Sequence, residues 1–210
     1  MTETLRDRVV DAALALAERR SWEEVRLHDV AAEIGVGLND VRVQFREKEE
    51  IVDAWFDRAD EAMLREAAEA EIAGLTPRQR LHRLVMVWLG ALAPHRRVAR
   101  QMILGKLEPG HVHYQFSGLL RVSRTVQWLR EAASRDAVLP WRALEETALT
   151  SIYLATFLRW MQDESADPAR TSVLLERLLT AGECASEAIP DWLAPGRAPA
   201  HTTAAVAPGV

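Results

Sequence analysis

The sequence predicts an all-α fold, and three observations carry that prediction. Apolar residues recur at three- and four-residue spacing from Leu5 to about residue 188, the period of one helix face. The stripes are interrupted at Gly35, Gly74, Pro77, Pro94, Gly105, Pro109, Gly110, Pro140 and Pro168, residue types that stop or start helices. The stretch Leu27–Phe45, LHDVAAEIGVGLNDVRVQF, reads as two short helices joined by a tight glycine turn. Together these give about nine helices.

Leu5, Val9, Ala12, Ala13 and Leu16 share one face of a first helix over 5–19, behind a short acidic start. Ser21 and Glu24 have capping-box spacing and mark a local turn. Leu27, Val30, Ala31 and Ile34 make the second stripe, and Gly35 follows where a positive φ ends a helix. Val36 tucks into the turn. Leu38, Val41 and Phe45 give the third stripe, and Ile51, Ala54 and Trp55 the next. The helical pattern that begins at Lys48 runs to about Ala73. Thr76 before Pro77 is a helix start, opening a helix over 77–92 with Leu81, Leu84, Val85, Trp88 and Leu92 inward. Further helices are expected over 95–104, 113–135, 141–162 and 168–188. Ala148, Ser151 and Ala155 give the last pair small residues suited to close helix packing. Residues 190–210 hold four prolines and no apolar period, the mark of a disordered tail.

A three-helix unit of this order, with this turn, resembles the N-terminal domain of the TetR family of transcriptional regulators. Ser21-Trp22, Asp29-Val30-Ala31, Ile34-Gly35-Val36, Phe45 and Lys48-Glu49 stand in that family's register. The resemblance implies a helix-turn-helix DNA-binding domain over 1–55 and a ligand-binding, dimerising helical domain over 56–189, sharing the helix that begins at Lys48. Trp22 then packs beneath the corner as a core residue. Residues 141–188 would pair with their copies into a four-helix bundle, with packing within one chain as the alternative. At groove-facing positions the resemblance places Gly37, Leu38, Asn39, Asp40, Arg42 and Gln44, and it places Lys48 at a phosphate contact. Asn39, Arg42 and Gln44 can read base edges or hold phosphates. Asp40 can accept from a cytosine amino group but is repelled by phosphate. Leu38 stands where the family carries a cation.

Charge is unevenly spread. Residues 1–50 carry eight basic and twelve acidic side chains, a balance that opposes binding to a polyanion. Residues 78–130 carry ten Arg or Lys and one acid, Glu108, although the whole chain is at −5. Arg78, Arg80, Arg83, Arg96, Arg97 and Arg100 form either a surface for an anionic partner or a helix face tied by ion pairs. The single Cys184 excludes an internal disulfide framework and fits a reducing cytoplasm. The sequence shows no signal peptide, and its longest apolar run, Leu84–Ala93, is too short for a transmembrane segment.

His111 and His113 lack further ligands at metal spacing and read as solvated loop residues. Trp88, Met102, Phe116, Trp128, Tyr153, Phe157 and Trp160, with Met86 and Met161, line either a hydrophobic ligand pocket or a closed core. No nucleophile elbow, zinc-protease helix, phosphate loop or Cys-x-x-Cys occurs. The chain therefore reads as a non-enzyme that calls for no cofactor.

Ser151–Leu179 carries a second resemblance. Tyr153, Asp163–Ser165, Asp167, Thr171 and Leu175-Glu176-Arg177, with Ala54–Leu64, are similar to the ubiquinone-biosynthesis accessory family, a lipid-binding offshoot of the same fold. That family's amphipathic membrane-docking helix has no counterpart after Pro190. The leading expectation is a cytoplasmic, homodimeric repressor that binds double-stranded DNA and is controlled by a hydrophobic small molecule. The alternative is an isoprenoid- or lipid-binding accessory protein with weakened or lost DNA binding.

Overall fold

A computed structural model describes residues 3–106, 112–134, 141–165 and 168–188, and only the backbone of 104–106, 112–120 and 187. Glu108, His111, Pro140, Asp167, the tail 190–210 and the side chains of His113 and Phe116 lie outside the described residues. Among the described residues every regular element is helical. In order they are α1 (Leu5–Arg19), α2 (Leu27–Ile34), α3 (Leu38–Gln44), α4 (Lys48–Ala67), α5 (Ala70–Ala73), α6 (Pro77–Leu92), a 3-10 turn (Ala93–His95), α7 (Arg96–Lys106), α8 (Val112–Ala132), α9 (Trp141–Gln162) and α10 (Ala169–Glu187).

Helices α1 to α3 form a compact N-terminal unit. Thr4 and Asp7 close a capping box at the start of α1, each accepting from the other's backbone N–H. Gly35 adopts φ 70° at the end of α2, and the Val36 N–H returns to the Ala31 carbonyl at 3.0 Å. Arginines of α1 cap both shorter helices. Arg8 donates to the Ile34 carbonyl at 2.8 Å and Arg6 to the Gln44 carbonyl at 2.9 Å, where a cation also offsets the helix dipole. The Arg6 guanidinium lies 4.3 Å above the Phe45 ring. Val9, Ala13, Val30, Val41 and Phe45 are fully buried in this unit.

Helix α4 belongs to both halves. Its Ile51, Val52, Trp55, Ala59 and Met63 are buried in a hydrophobic core that runs continuously from α1 to α10. Arg58 binds Asp7 and Asp11 of α1. The single helix expected over 48–73 is in fact two pieces. Ala68 ends α4, and Glu69 is extended at φ −71°, ψ 139°. Beyond the interruption Ile72 is buried, at 3% exposure, while its neighbours stay exposed.

Two polar constructions hold the larger half together. Asp60 of α4 is buried and accepts from Trp88 Nε1 of α6 at 2.7 Å, from Arg121 of α8 at 2.8 Å and from Thr125 of α8 at 3.0 Å. Arg121 also binds Asp57. Burial pushes the Asp60 carboxyl up, and Arg121, Trp88 and Thr125 oppose that shift. Asp163, after α9, is the second. Its carboxylate accepts from Ser165 Oγ at 2.6 Å, Thr171 Oγ1 at 2.8 Å and the Thr171 N–H at 3.0 Å. These bonds tie the turn to the first turn of α10.

The arginine-rich middle is made of internal ties. Arg78 reaches Glu183 at 3.1 Å and Arg83 reaches Glu66 at 2.7 Å. Arg80 donates to the Ala133 carbonyl at 3.2 Å. Arg96 and Arg100 donate to the Asp163 and Met161 carbonyls at the end of α9. Arg97 and His95 meet Glu18 of α1 at 3.2 and 3.3 Å. The Trp22 N–H donates to Gln101 of α7 at 2.8 Å, completing a seam between α7 and the N-terminal unit.

Replacing Asp60 by Ala should cost about 3–5 kcal/mol in urea unfolding, since it leaves Trp88 Nε1 unpaired and takes from Arg121 its buried counter-charge. Asp57→Ala, at a half-exposed partner, should cost under about 1 kcal/mol in the same assay. The second construction predicts a pH dependence. The Ser165 hydroxyl foremost, then Thr171, holds the Asp163 carboxyl far below the usual carboxylate range. A depressed folded pKa stabilises fully above the unfolded value of about 3.9, and that stabilisation is lost as pH falls through the folded value. Asp163→Asn should therefore lower Tm at neutral pH, and its gap from wild type should narrow below about pH 4 in pH-scanned melts.

Candidate functional site

The outer face of α3 is the candidate nucleic-acid interface. Gly37 precedes the helix at φ −75°, ψ 150°, and its N–H donates to the Asp40 carboxylate at 2.9 Å. A Cβ at position 37 would come within 3.1 Å of that carboxylate. Glycine therefore leaves room for the fold-back, and Asp40 is engaged in starting the helix. Val41 and Phe45 anchor α3 from below, fully buried. Leu38, Asn39, Arg42 and Val43 are exposed above them. Arg42 donates through Nε and Nη2 to Asn39 Oδ1, both at 3.1 Å. Gln44 is half-buried, and its carbonyl takes Arg6.

Lys48 sits apart from this patch. Its ammonium donates to the Trp22 carbonyl and lies 4.5 Å above the Trp22 ring. Burial, then Arg26 nearby, holds that ammonium below its ordinary pKa. A phosphate contact from Lys48 requires it to leave Trp22. Trp22 itself is buried at the corner, in keeping with its reading as a core residue.

The acidic excess of the N-terminal unit has a local explanation. Asp7 and Asp11 hold Arg58, Glu18 holds Arg97, Asp29 holds Arg20, and Glu33 holds Arg19. Glu50 accepts from the Arg46 N–H at 2.7 Å. These acids sit at seams and caps, so net charge over 1–50 describes the scaffold more than the outer face of α3.

Four of the residues expected to line a pocket pack on one another. Trp88 meets Tyr153 edge-on at 5.3 Å and Phe157 at 5.7 Å, while Phe157 stacks on Tyr153 at 6.2 Å and on Trp160 at 5.7 Å. Phe56 of α4 stacks on Trp88 at 5.8 Å. Met102 is buried and Met86 packs against the core from a partly exposed position. Trp128 lies outside this cluster, 47% exposed, because α8 turns Val126 and Leu129 inward instead. The Phe116 side chain lies outside the described residues. Asp60, Arg121 and Thr125, which edge the cluster, were not singled out by pattern. Their one sequence signal is a charge at position 60, on the face where Phe56, Ala59 and Met63 point inward.

The residues behind the ubiquinone-family resemblance have structural roles. Asp163, Ser165 and Thr171 bind one another, and Tyr153 is a member of the aromatic cluster. Nothing in this geometry favours that reading. Among the described residues, no group of three or more His, Cys, Asp or Glu is placed to hold a metal ion, and no helix is long and apolar enough to cross a membrane.

No family model and no curated protein matches the chain. Solved structures do. A TetR transcriptional regulator from Nitrosomonas europaea ATCC 19718 is 50% identical, with a TM-score of 0.77 over 86% of this chain and 98% of that one. A TetR transcriptional regulator from Rhodococcus sp. RHA1 is 19% identical, with a TM-score of 0.62 over 83% and 92%. A TetR-like transcriptional regulator from the same organism is also 19% identical, at 0.51 over 88% and 98%. The last two share the fold alone. Half of all aligned positions identical across nearly the whole of the Nitrosomonas protein is a stronger relation. The chain belongs to the TetR family of transcriptional regulators.

Proposed function

We propose that the protein is a cytoplasmic, homodimeric transcriptional repressor that binds double-stranded DNA through α3 and is released by a hydrophobic small molecule. The observation that carries this reading is the two-sided build of α3. Val41 and Phe45 lock one side into the core, while Asn39 and Arg42 stand exposed and hydrogen-bonded on the other. A helix held so firmly with its polar side chains outward suits insertion into a major groove. The N-terminal unit, residues 1–55, is the reading head. Residues 56–189 carry the ligand response and the dimer contact.

The dimer reading is supported by the uncovered side of α9. Leu144, Ala148, Ser151, Ala155 and Leu158 are all exposed and follow one helical stripe, with Leu144 at 53% and Leu158 at 50%. Val173, Ala181 and Cys184 continue an exposed stripe on α10. Small residues between leucines allow close approach by a second copy. Two heads in such a dimer would meet successive major grooves about 34–36 Å apart. The aromatic cluster is the wall that a hydrophobic ligand would part, and α4 links it to the head through Phe56 and Arg58.

Arg42→Ala should weaken binding to the protein's own upstream DNA at least about tenfold in fluorescence anisotropy, with scrambled DNA as control. Unchanged affinity for a confirmed operator would remove Arg42 from the reading role. Ala155→Arg should convert the dimer to a monomer in analytical ultracentrifugation while helical content by circular dichroism stays at the wild-type level. A dimer that survives this change would place the contact elsewhere.

A further inference from the structure

The seven residues of α3 leave one contiguous outward patch. Positions 38 and 42, 39 and 43, and 39 and 42 are neighbours on a helix surface, so Leu38, Asn39, Arg42 and Val43 adjoin. Leu38 is 53% exposed and Val43 66%. Single exposed apolar residues are ordinary. Two of them flanking a guanidinium on so short a helix are not explained by packing, since Val41 and Phe45 already fasten it. Nor does helix propensity favour a β-branched residue at an exposed position.

The polar half of the patch is already organised. Arg42 Nε and Nη2 both donate to Asn39 Oδ1. Nη1 and the outer N–H of Nη2 remain as a forked edge, which matches O6 and N7 of guanine. With its oxygen engaged, Asn39 is not set for the two-sided contact a free amide makes to adenine. Asp40, exposed at the edge of the patch, is folded onto the Gly37 N–H. In the major groove, the base feature that apolar carbon can read is the C5 methyl of thymine.

We propose that α3 reads a guanine with neighbouring thymines: Arg42, positioned by Asn39, takes the guanine, and Leu38 and Val43 pack on thymine methyl groups. This rests on the DNA-binding reading above. The test begins with selection of a bound sequence from a random duplex library by the full chain. On the selected duplex, each thymine is replaced in turn by deoxyuridine, which removes only the methyl, and each guanine by 7-deazaguanine, which removes only the N7 acceptor.

Deoxyuridine at one or two thymines per half-site should weaken binding by about fourfold, the worth of one buried methyl. Leu38→Ala and Val43→Ala should each abolish the penalty at one of them. 7-Deazaguanine at one position should weaken binding about tenfold, and Arg42→Ala should abolish that penalty. Asn39→Ala should shrink the guanine penalty and leave the thymine penalties intact, which a general loss of folding would not do. A selected site indifferent to every deoxyuridine, or a 7-deazaguanine penalty that persists in Arg42→Ala, overturns the proposal while DNA binding stands. Selection that enriches no sequence overturns both.

Discussion

A carboxylate taken out of water is tolerated only when its surroundings replace the solvent it lost, and Asp60 sets this constraint for the larger half of the molecule. It is served by an indole N–H from α6 and by a guanidinium and a hydroxyl from α8. Those donors fix where α6 and α8 stand against α4. Trp88, one of the donors, is also the ring on which Phe56, Tyr153 and Phe157 pack. The aromatic cluster therefore has its orientation set by a polar bond at its edge. Apolar packing alone is non-directional and would not choose one rotation of the indole over another.

The arginines obey a related logic. Arg6, Arg8, Arg80, Arg96 and Arg100 all donate to backbone carbonyls. Several of these lie at helix ends, where carbonyls have no partner within the helix. The guanidinium is suited to this work because its stem packs on apolar surface while its planar fork reaches past it. Eight of the ten basic residues of segment 78–130 thus serve assembly. Arg96 and Arg100 bring the end of α9 to rest against α7, and Arg80 does the same for the end of α8 against α6.

Much of the helical layout was legible because period and punctuation agree. Residues 5–19 were bounded by their stripe, 77–92 by a stripe with Thr76-Pro77 and Pro94, and 141–162 by a stripe after Pro140, and the helices begin and end there. Gly35 was legible because only a positive φ lets Val36 return to Ala31. The interruption after Ala67 was not legible, since Ala68, Glu69 and Ala70 carry no breaker. On α3, the exposure of Asn39 and Arg42 follows from the stripe of Val41 and Phe45. Their mutual hydrogen bond and the fold-back of Asp40 do not, since both are choices among rotamers. Trp128 looked like its fellow tryptophans by composition, and only the rotation of α8 separates it from them. Asp60 and Arg121 escaped because their partners lie on helices far apart in sequence, which spacing along one helix does not reveal.

Among its polar ties, the N-terminal unit is fastened at both ends of α1. Arg58 of α4 holds α1 near its start, and His95 of the 3-10 turn with Arg97 and Gln101 of α7 holds the far end of α1 and the Trp22 corner. A body on one mounting can pivot; a body on two must follow the frame that carries them. The attitude of α3 is accordingly set by α4 and by the α7 seam together, and loosening either one would free only half of its support.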